Sequence, residues 1–201
     1  MGEHVFKQED QEDSLSNKIV IGLQRISEAF KALLWDKAKE FGLSPIQIQI
    51  LIFIRYHKEE SCNVSYLSKE FNVTKPTISD AVKVLEKKGM IVKDHSSSDN
   101  RSYTIFLSDT GKEAVSKTET FVNPIKKELD STSIQEQENL FSVVSSLIYQ
   151  LNQKGILTVQ RTCYACKFHT KHGKNDYCNL LQKDLLNHQI RLDCAEFESA
   201  S

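Results

Sequence analysis

Apolar residues recur along most of the chain with the spacing of a helix. Near the N-terminus they follow one another at alternating four- and three-residue steps, which predicts one long helix that ends at Gly42. Its narrow apolar stripe consists of Leu15, Ile19, Leu23, Ile26, Phe30 and Leu33. Stripes of this width line contacts between helices, so we expect either a dimer seam or packing within the same chain.

The next segments predict a buried central helix and then a helix-turn-helix. Ser44-Pro45-Ile46-Gln47 is a capping box with Pro in the first turn, which favours a helix although the following isoleucines alternate as in a strand. Asn63 and Thr74 are suited to cap two short helices joined by a brief link. The second of these helices has an apolar face for burial, formed by Ile78, Ala81, Val82 and Leu85.

The pattern after the helix-turn-helix predicts a β-hairpin followed by further helices. Residues 90–93 and 103–107 have the composition of strands and flank a polar loop, so we predict a hairpin with a wettable tip. Ser108 and Ser133 are placed to begin helices, with Pro124 breaking the first and Gly155 ending the second.

Composition indicates a folded, helix-rich protein. The chain has 201 residues, 39% hydrophobic and 26% charged, which gives room for one domain with a small appendage. Seven Gly and three Pro leave few chain breakers and favour helices over a many-turned β architecture. The longest apolar run, residues 50–54, is too short to span a membrane, and the mostly acidic residues 1–13 lack the features of a signal peptide. We therefore expect a disordered N-terminal tail and a cytoplasmic protein.

Several short motifs follow one another in a recognisable order. They are Leu43-Ser44-Pro45, Thr77-Ile78-Ser79, Leu85-Glu86-Lys87-Lys88-Gly89, Asp99-Asn100-Arg101 and Leu107-Ser108-Asp109-Thr110-Gly111. Through this combination, roughly residues 15–155 resemble the MarR-type transcriptional regulators. The resemblance implies a winged-helix homodimer joined by its N-terminal and last two helices. It also implies a recognition helix in the major groove of double-stranded DNA, a wing in the minor groove, and a small aromatic effector in the cleft beside the dimer helices.

Candidate DNA-contacting residues lie on the predicted recognition helix and wing. They are Lys75, Thr77, Ser79, Asp80 and Lys83 on the helix, and Asp99 and Arg101 on the wing. Small polar and basic side chains near a helix N-terminus can contact DNA bases and phosphates. Arg101 can enter a narrow minor groove, where Asp99 would hold its side chain in place. Asp80 stands where many MarR-type relatives carry a basic residue, so it weakens binding unless it meets a cytosine amino group or pairs with Lys83. Residues 63–112 carry eight Lys and Arg against six Asp and Glu, so we expect modest affinity.

The C-terminal segment carries four of the five cysteines. Four soft ligands are supplied by the pattern Cys163-x2-Cys166-x11-Cys178-x15-Cys194. We expect these cysteines to bind zinc in a tetrahedral site, and the alternative is a four-iron four-sulfur cluster. The segment also resembles small cysteine-rich modules, some of which hold iron–sulfur clusters and others zinc. His169, His172 and His188 could supplement a cysteine, or be simply solvated, and free thiols without metal remain the plain alternative. Cys62 stands apart and is expected to be a small, partly buried residue.

These observations predict a mainly α fold with a small β-wing. Residues 1–13 form the tail, 14–157 the winged-helix and dimerisation domain with its helix-turn-helix at 63–88 and wing at 89–108, and 158–201 the four-cysteine module. The predicted function is that of a homodimeric, sequence-specific DNA-binding regulator, expected to be a repressor. We expect it to respond to the metal or redox state of the module or to a small-molecule effector.

Two other functions stay open at the level of sequence. One is a redox or iron–sulfur electron-transfer protein with the winged helix as an interaction domain, and the other is a module that docks a partner protein. The sequence contains no Gly-rich phosphate loop, paired catalytic carboxylates or nucleophile elbow, so we expect no enzyme activity.

Overall fold

The computed structural model describes residues 5–8, 14–95, 103–173 and 175–200. The predicted disordered tail therefore lies outside the described residues except for 5–8. The N-terminal part consists of α1 (Leu15–Phe41), α2 (Pro45–Tyr56), α3 (Val64–Glu70), α4 (Lys75–Lys87), β1 (Ile91–Asp94), β2 (Thr104–Leu107), α5 (Asp109–Thr118), α6 (Asn123–Asp130) and α7 (Ile134–Gln153). Three short strands follow, β3 (His169–His172), β4 (Asn175–Cys178) and β5 (Lys183–Leu185).

The helices begin and end at the polar and glycine residues that the sequence indicated. Gly42 ends α1 with φ at 60°, a left-handed conformation that glycine adopts without a steric penalty. The capping box of Ser44 and Gln47 is present, and α2 is a helix, so the strand alternative for this segment is wrong. Asn63 and Thr74 accept hydrogen bonds from the backbone amides of Tyr66 and Thr77, which confirms both helices of the helix-turn-helix.

The main hydrophobic core surrounds α2. Ile48, Ile50 and Leu51 of this helix are fully buried. They belong to a cluster with buried residues from the other N-terminal elements, among them Leu34, Ala38, Leu67, Ile78, Val82, Leu85, Ile105 and Val115. The predicted inner face of α4 is thus confirmed, and the fold is the mainly α, winged-helix architecture expected from the sequence.

The wing is joined to α4 through the Leu-Ser-x-x-Gly motif. Strands β1 and β2 pair antiparallel with Ile91 opposite Leu107. The Ser108 hydroxyl donates to the carbonyl of Gly89 (2.6 Å), just after α4. A Cβ on Gly111 would lie 2.0 Å from the backbone oxygen of Met90, so only glycine lets α5 approach this closely.

The later helices follow the expected order with one shift. The predicted break near Pro124 is confirmed, but α5 already ends at Thr118 and Pro124 lies in the first turn of α6. The capping box of Ser133 and Glu136 begins α7. In the described residues no helix is long and apolar enough to cross a lipid bilayer.

The C-terminal segment forms a small unit with its own buried cluster. Its strands are antiparallel in the order β3-β4-β5. The buried residues of this cluster are Cys163, Leu185 and Ile190, and Phe141 of α7 packs against them. A core of this size provides little apolar burial to stabilise the segment.

Candidate functional site

Helix α4, the predicted recognition helix, presents a polar surface opposite its buried face. Lys75, Thr77, Asp80 and Lys83 are exposed there. Ser79 is half-buried. Five of the seven predicted DNA-contacting residues thus share this helix, whereas Asp99 and Arg101 lie outside the described residues.

Three of these side chains already have partners on the helix or at its cap. The Thr77 hydroxyl lies 2.8 Å from that of the capping residue Thr74. Lys83 Nζ lies 3.0 Å from Asp80 Oδ1, and both side chains are largely exposed. The negative charge of Asp80 is therefore paired with Lys83 on the same helix, which is one of the two arrangements that the sequence predicted. Because both side chains are exposed, the pair adds little stability.

A lysine of the wing ties the hairpin to α4. Lys93 Nζ of β1 lies 2.5 Å from Glu86 Oε2 of α4, and its side chain is only 15% exposed. The same ammonium lies 4.9 Å from the ring centre of Tyr103. This contact could not be predicted from the sequence, because neither strand nor helix periodicity relates residues on two different elements.

The apolar stripe of α1 is exposed in the single chain. Ile19 and Ile26 are each 50% exposed, and Leu15 is 73% exposed. On α7, Leu140, Val143 and Leu147 are also exposed. Within the part of the chain that the structure describes, the exposed members of the stripe do not pack into the core.

The four C-terminal cysteines line one small cavity. Cys163, Cys166, Cys178 and Cys194 surround about 30 Å³ of space, together with apolar side chains such as Phe168 and Leu185. Cys163 begins a 3₁₀ turn, and the amide of Cys166 donates to its carbonyl (3.0 Å). Side chains three residues apart on such a turn eclipse each other, so these two thiols share a side.

Backbone pairing brings the other two cysteines to the same place. Cys178 ends β4, where it is paired with His169 of β3. The amide of Cys194 donates to the carbonyl of Arg161 (3.1 Å), and that of Cys163 donates to the carbonyl of Arg191 (3.0 Å). The chain segments before Cys163 and before Cys194 therefore run side by side, which fixes the two cysteines at the cavity.

Arg191 directs two N–H groups at the cysteine sulfurs. Its backbone amide donates to Cys163 Sγ (3.3 Å), and its guanidinium donates to Cys194 Sγ (3.7 Å). Burial raises the pKa of the Cys163 thiol, the Arg191 amide lowers it, and the three neighbouring cysteines raise it again. Burial raises the pKa of the Cys62 thiol to about 11, and Cys62 belongs to the separate core around α2.

The histidines of this segment have other partners. Of the three considered, only His169 lines the cavity, and its Nε2 lies 2.8 Å from Asp176 Oδ1. His172 stacks on Tyr177, and His188 Nδ1 lies 3.3 Å from Glu138 Oε1. Across residues 5–8, 14–95, 103–173 and 175–200, no group of three or more His, Cys, Asp or Glu side chains is placed so that it could hold a metal ion.

Arg161 joins the cysteine segment to the helix-turn-helix. Its Nη1 and Nη2 donate to the two oxygens of Glu70 on α3 (2.7 and 3.0 Å), and Nη1 also donates to the Tyr66 hydroxyl (2.8 Å). Its Nε donates to Oδ1 of Asp193 (2.5 Å), the residue before Cys194.

The same network includes His57 at the end of α2. His57 Nε2 lies 2.7 Å from Asp193 Oδ2. The hydrogen bond from His57, followed by those from Arg161, holds the pKa of the Asp193 carboxyl well below its usual range despite its partial burial. Sequence analysis offered no signal for this network, because its members are far apart in the chain.

A larger cleft lies between the helix-turn-helix and the last helix. It has a volume of about 550 Å³ and is lined by Tyr66 of α3, Tyr149 of α7, and Tyr164 and Phe197 of the cysteine segment. Gln160 also lines it, and its buried Nε2 has no hydrogen-bond partner among the described residues.

Known proteins share the N-terminal part of this architecture. Residues 41–102 match the model of the MarR family. YdgJ of Bacillus subtilis (strain 168), an uncharacterized HTH-type transcriptional regulator, is 28% identical over 112 residues, which cover 55% of this chain and 67% of YdgJ.

Solved structures agree at the level of the fold. S. aureus MepR in its DNA-binding conformation has a TM-score of 0.58 and 22% identity, and the match covers 66% of this chain and 98% of MepR. The S. aureus MepR–DNA complex gives a TM-score of 0.56 at 22% identity, covering 64% of this chain and 94% of MepR.

Proposed function

We propose that the chain is a sequence-specific DNA-binding regulator that acts as a homodimeric repressor, because residues 41–102 match the MarR family model and lie within a winged-helix fold. The observation that carries the proposal is α4, whose apolar face is buried while Lys75, Thr77 and Lys83 face solvent. A buried face fixes the angle of a recognition helix, and polar side chains near its N-terminus can then reach base edges and phosphates. MarR-family regulators are non-enzymatic, which agrees with the expectation from the sequence.

The exposed stripe of α1 and the apolar face of α7 support a dimer. A second copy that covers these faces removes large apolar side chains from water, among them Leu15, Ile26 and Val143. Two recognition helices must then lie roughly 10 bp apart to meet successive major grooves. A dimer seated across a promoter in this way excludes other proteins from it, which is the basis of the proposed repression.

An effector in the cleft between α3 and α7 completes the proposal. The volume of about 550 Å³ lies within the usual range of small-molecule sites, roughly 300–1,000 Å³. The tyrosine and phenylalanine rings suit an aromatic ligand. A ligand bound there would contact both the helix-turn-helix and a helix of the proposed dimer interface.

DNA binding is tested with duplexes selected by the wild-type chain from a random library. Fluorescence anisotropy then gives the affinity as a function of salt concentration. Lys75→Ala removes one phosphate partner from each subunit and two from the dimer, so the magnitude of the slope of log affinity against log salt should fall by about 1.8. Arg101→Ala should weaken binding by at least roughly tenfold while leaving the dimer intact, because the wing loses its minor-groove cation.

The matched control is Lys126→Ala, which removes the same charge from α6, outside the proposed interface. It should change neither the affinity nor the salt slope. Selection of no sequence by the wild-type chain contradicts the proposal. Equal effects of Lys75→Ala and Lys126→Ala contradict the assignment of α4 as the recognition helix.

A further inference from the structure

The cysteine segment has too little apolar burial to hold its own shape. Its buried cluster contains only Cys163, Leu185 and Ile190, although several large apolar side chains lie nearby. Leu180 and Leu181 line the cysteine cavity yet remain 45% and 44% exposed. Small units with such cores are usually stabilised by disulfides or by a metal ion. All four cysteines of this segment are free thiols and are therefore available as metal ligands.

The cavity between the thiols is large enough for an ion to enter. Its volume of about 30 Å³ exceeds the roughly 10–15 Å³ that a cavity needs to hold one water molecule. A four-iron four-sulfur cluster brings eight atoms of its own between the cysteine sulfurs, whereas a zinc ion brings one. Zinc is therefore the group that requires the smaller change in the cavity.

The surroundings of the sulfurs also suit thiolates. Four thiolates around a divalent ion leave an excess of negative charge, which the guanidinium of Arg191 partly offsets beside Cys194. The Arg191 amide donates to Cys163 Sγ, and such N–H···S contacts stabilise a ligating sulfur and fix its orientation. Cys163 is buried, while Cys166, Cys178 and Cys194 are half-buried, so an ion has access before the site closes.

We propose that Cys163, Cys166, Cys178 and Cys194 bind one zinc ion as tetrahedral thiolates. Among the described residues the four sulfurs are not yet placed to share an ion, so binding requires these side chains to turn towards a common centre in the cavity that they line. Paired backbone segments hold Cys163 and Cys194 at that cavity, and a tight turn holds Cys166. Binding releases the thiol protons, and the ion acts as the cross-link of the segment.

The zinc site also joins two parts of the winged-helix domain, a consequence that rests on the proposed function. On one side, the Asn187 side chain donates to the carbonyl of Glu138 on α7 (3.1 Å). On the other, Asp193, next to Cys194, holds Arg161 against Glu70 of α3. An ion that fixes this segment therefore fixes the helix-turn-helix relative to a helix of the proposed dimer interface.

The first test is the metal content of the full chain purified without oxygen or chelators. One zinc per chain without acid-labile sulfide is expected. Iron with sulfide overturns the zinc assignment in favour of a cluster at the same cysteines. A chain that contains neither zinc nor iron overturns the proposal of a metal site altogether. Titration with a mercurial thiol reagent should release the zinc as four thiols react, a readout that needs no variant.

Variants then locate the site. Cys178→Ser should lower zinc affinity by at least ~100-fold, since losing even an outer-shell partner weakens metal binding roughly 10–100-fold. Cys62→Ala is the matched control, because its thiol lies in the other core, and it should retain one zinc. Equal zinc content in Cys178→Ser and wild type overturns the proposal.

Cobalt distinguishes loss of a ligand from loss of folding. Cobalt added to the metal-free wild-type chain should give the sulfur-to-metal charge-transfer and visible bands of a tetrahedral thiolate site, weakened in Cys178→Ser. Absence of these bands in the wild type overturns the proposed ligand set. DNA binding of the metal-free chain is measured separately. A zinc-loaded chain that binds no DNA would refute the proposed function while leaving the metal site intact.

Discussion

Replacing Arg161 by Met removes the cation that joins the cysteine segment to α3 while keeping a long side chain at this place. The side chains of Arg161 and Glu70 are only 15% and 19% exposed, and two N–H groups bind the carboxylate. Without Arg161, Glu70 remains as a largely buried charge with no cationic partner in the network. Breaking a fully buried pair costs about 3–5 kcal/mol, so for this partly solvated pair we expect a loss of ~2–4 kcal/mol.

The other contacts of Arg161 contribute less to the expected loss in the free energy of unfolding. Asp193 is 49% exposed, and an ion pair at such a position is worth about 0–1 kcal/mol. The guanidinium also lies 5.6 Å from the ring centre of Phe53, and that contact is partly retained by the methionine side chain. The unpaired Glu70 carboxylate therefore dominates the expected loss.

The assay is urea unfolding of the full-length chain together with hydrogen exchange of the cysteine segment. Lys58→Met is the control, because Lys58 pairs with Glu196 across the same contact but both side chains are 55% exposed. It should change the free energy of unfolding by less than about 0.5 kcal/mol.

A double-mutant cycle separates the lost ion pair from lost packing. Glu70→Met alone should also destabilise the chain, because it leaves Arg161 with fewer partners. The combined variant should lose much less than the sum of the two, since replacing a buried pair by apolar residues is often close to neutral. If Arg161→Met stays within roughly 0.5 kcal/mol of wild type, or if the two losses simply add, the proposed role of this pair is refuted.

Three further predictions follow from other parts of the chain. Gly111→Ala should lower the free energy of unfolding by about 1–3 kcal/mol, because its Cβ would meet the Met90 oxygen. Gly22→Ala, with open space around it, should instead raise the stability by about 0.5–1 kcal/mol, and equal melting temperatures for the two variants would contradict this prediction. Ile26→Glu puts a charge into the proposed dimer seam, so light scattering should show a monomer with unchanged helix content, and a persistent dimer would exclude α1 from the seam. Removing zinc with a chelator should leave the circular dichroism of the long helices in place while opening residues 158–200 to proteolysis, and protection of this segment without metal would argue against the ion as its cross-link.

The helices of the winged-helix domain could be predicted from the sequence because their signals are local. Gly42, Ser44 and Ser133 end or begin helices through contacts within a few residues, and the apolar spacing of α4 defines its inner face. The same holds for the grouping of the cysteines, although the sequence left zinc and an iron–sulfur cluster both open.

Only the tertiary structure decided how these parts meet. The α1 stripe is exposed, the Lys93–Glu86 pair fixes the wing, and Arg161 joins α3 to the segment that carries Cys194. Such contacts join residues on different elements, where no periodicity along the chain relates one partner to the other. The sequence by itself determined which helices form and which chemistry the cysteines offer. Long-range packing decided the position of that chemistry against the helix-turn-helix, because side chains distant in the chain meet only once the core around α2 has formed.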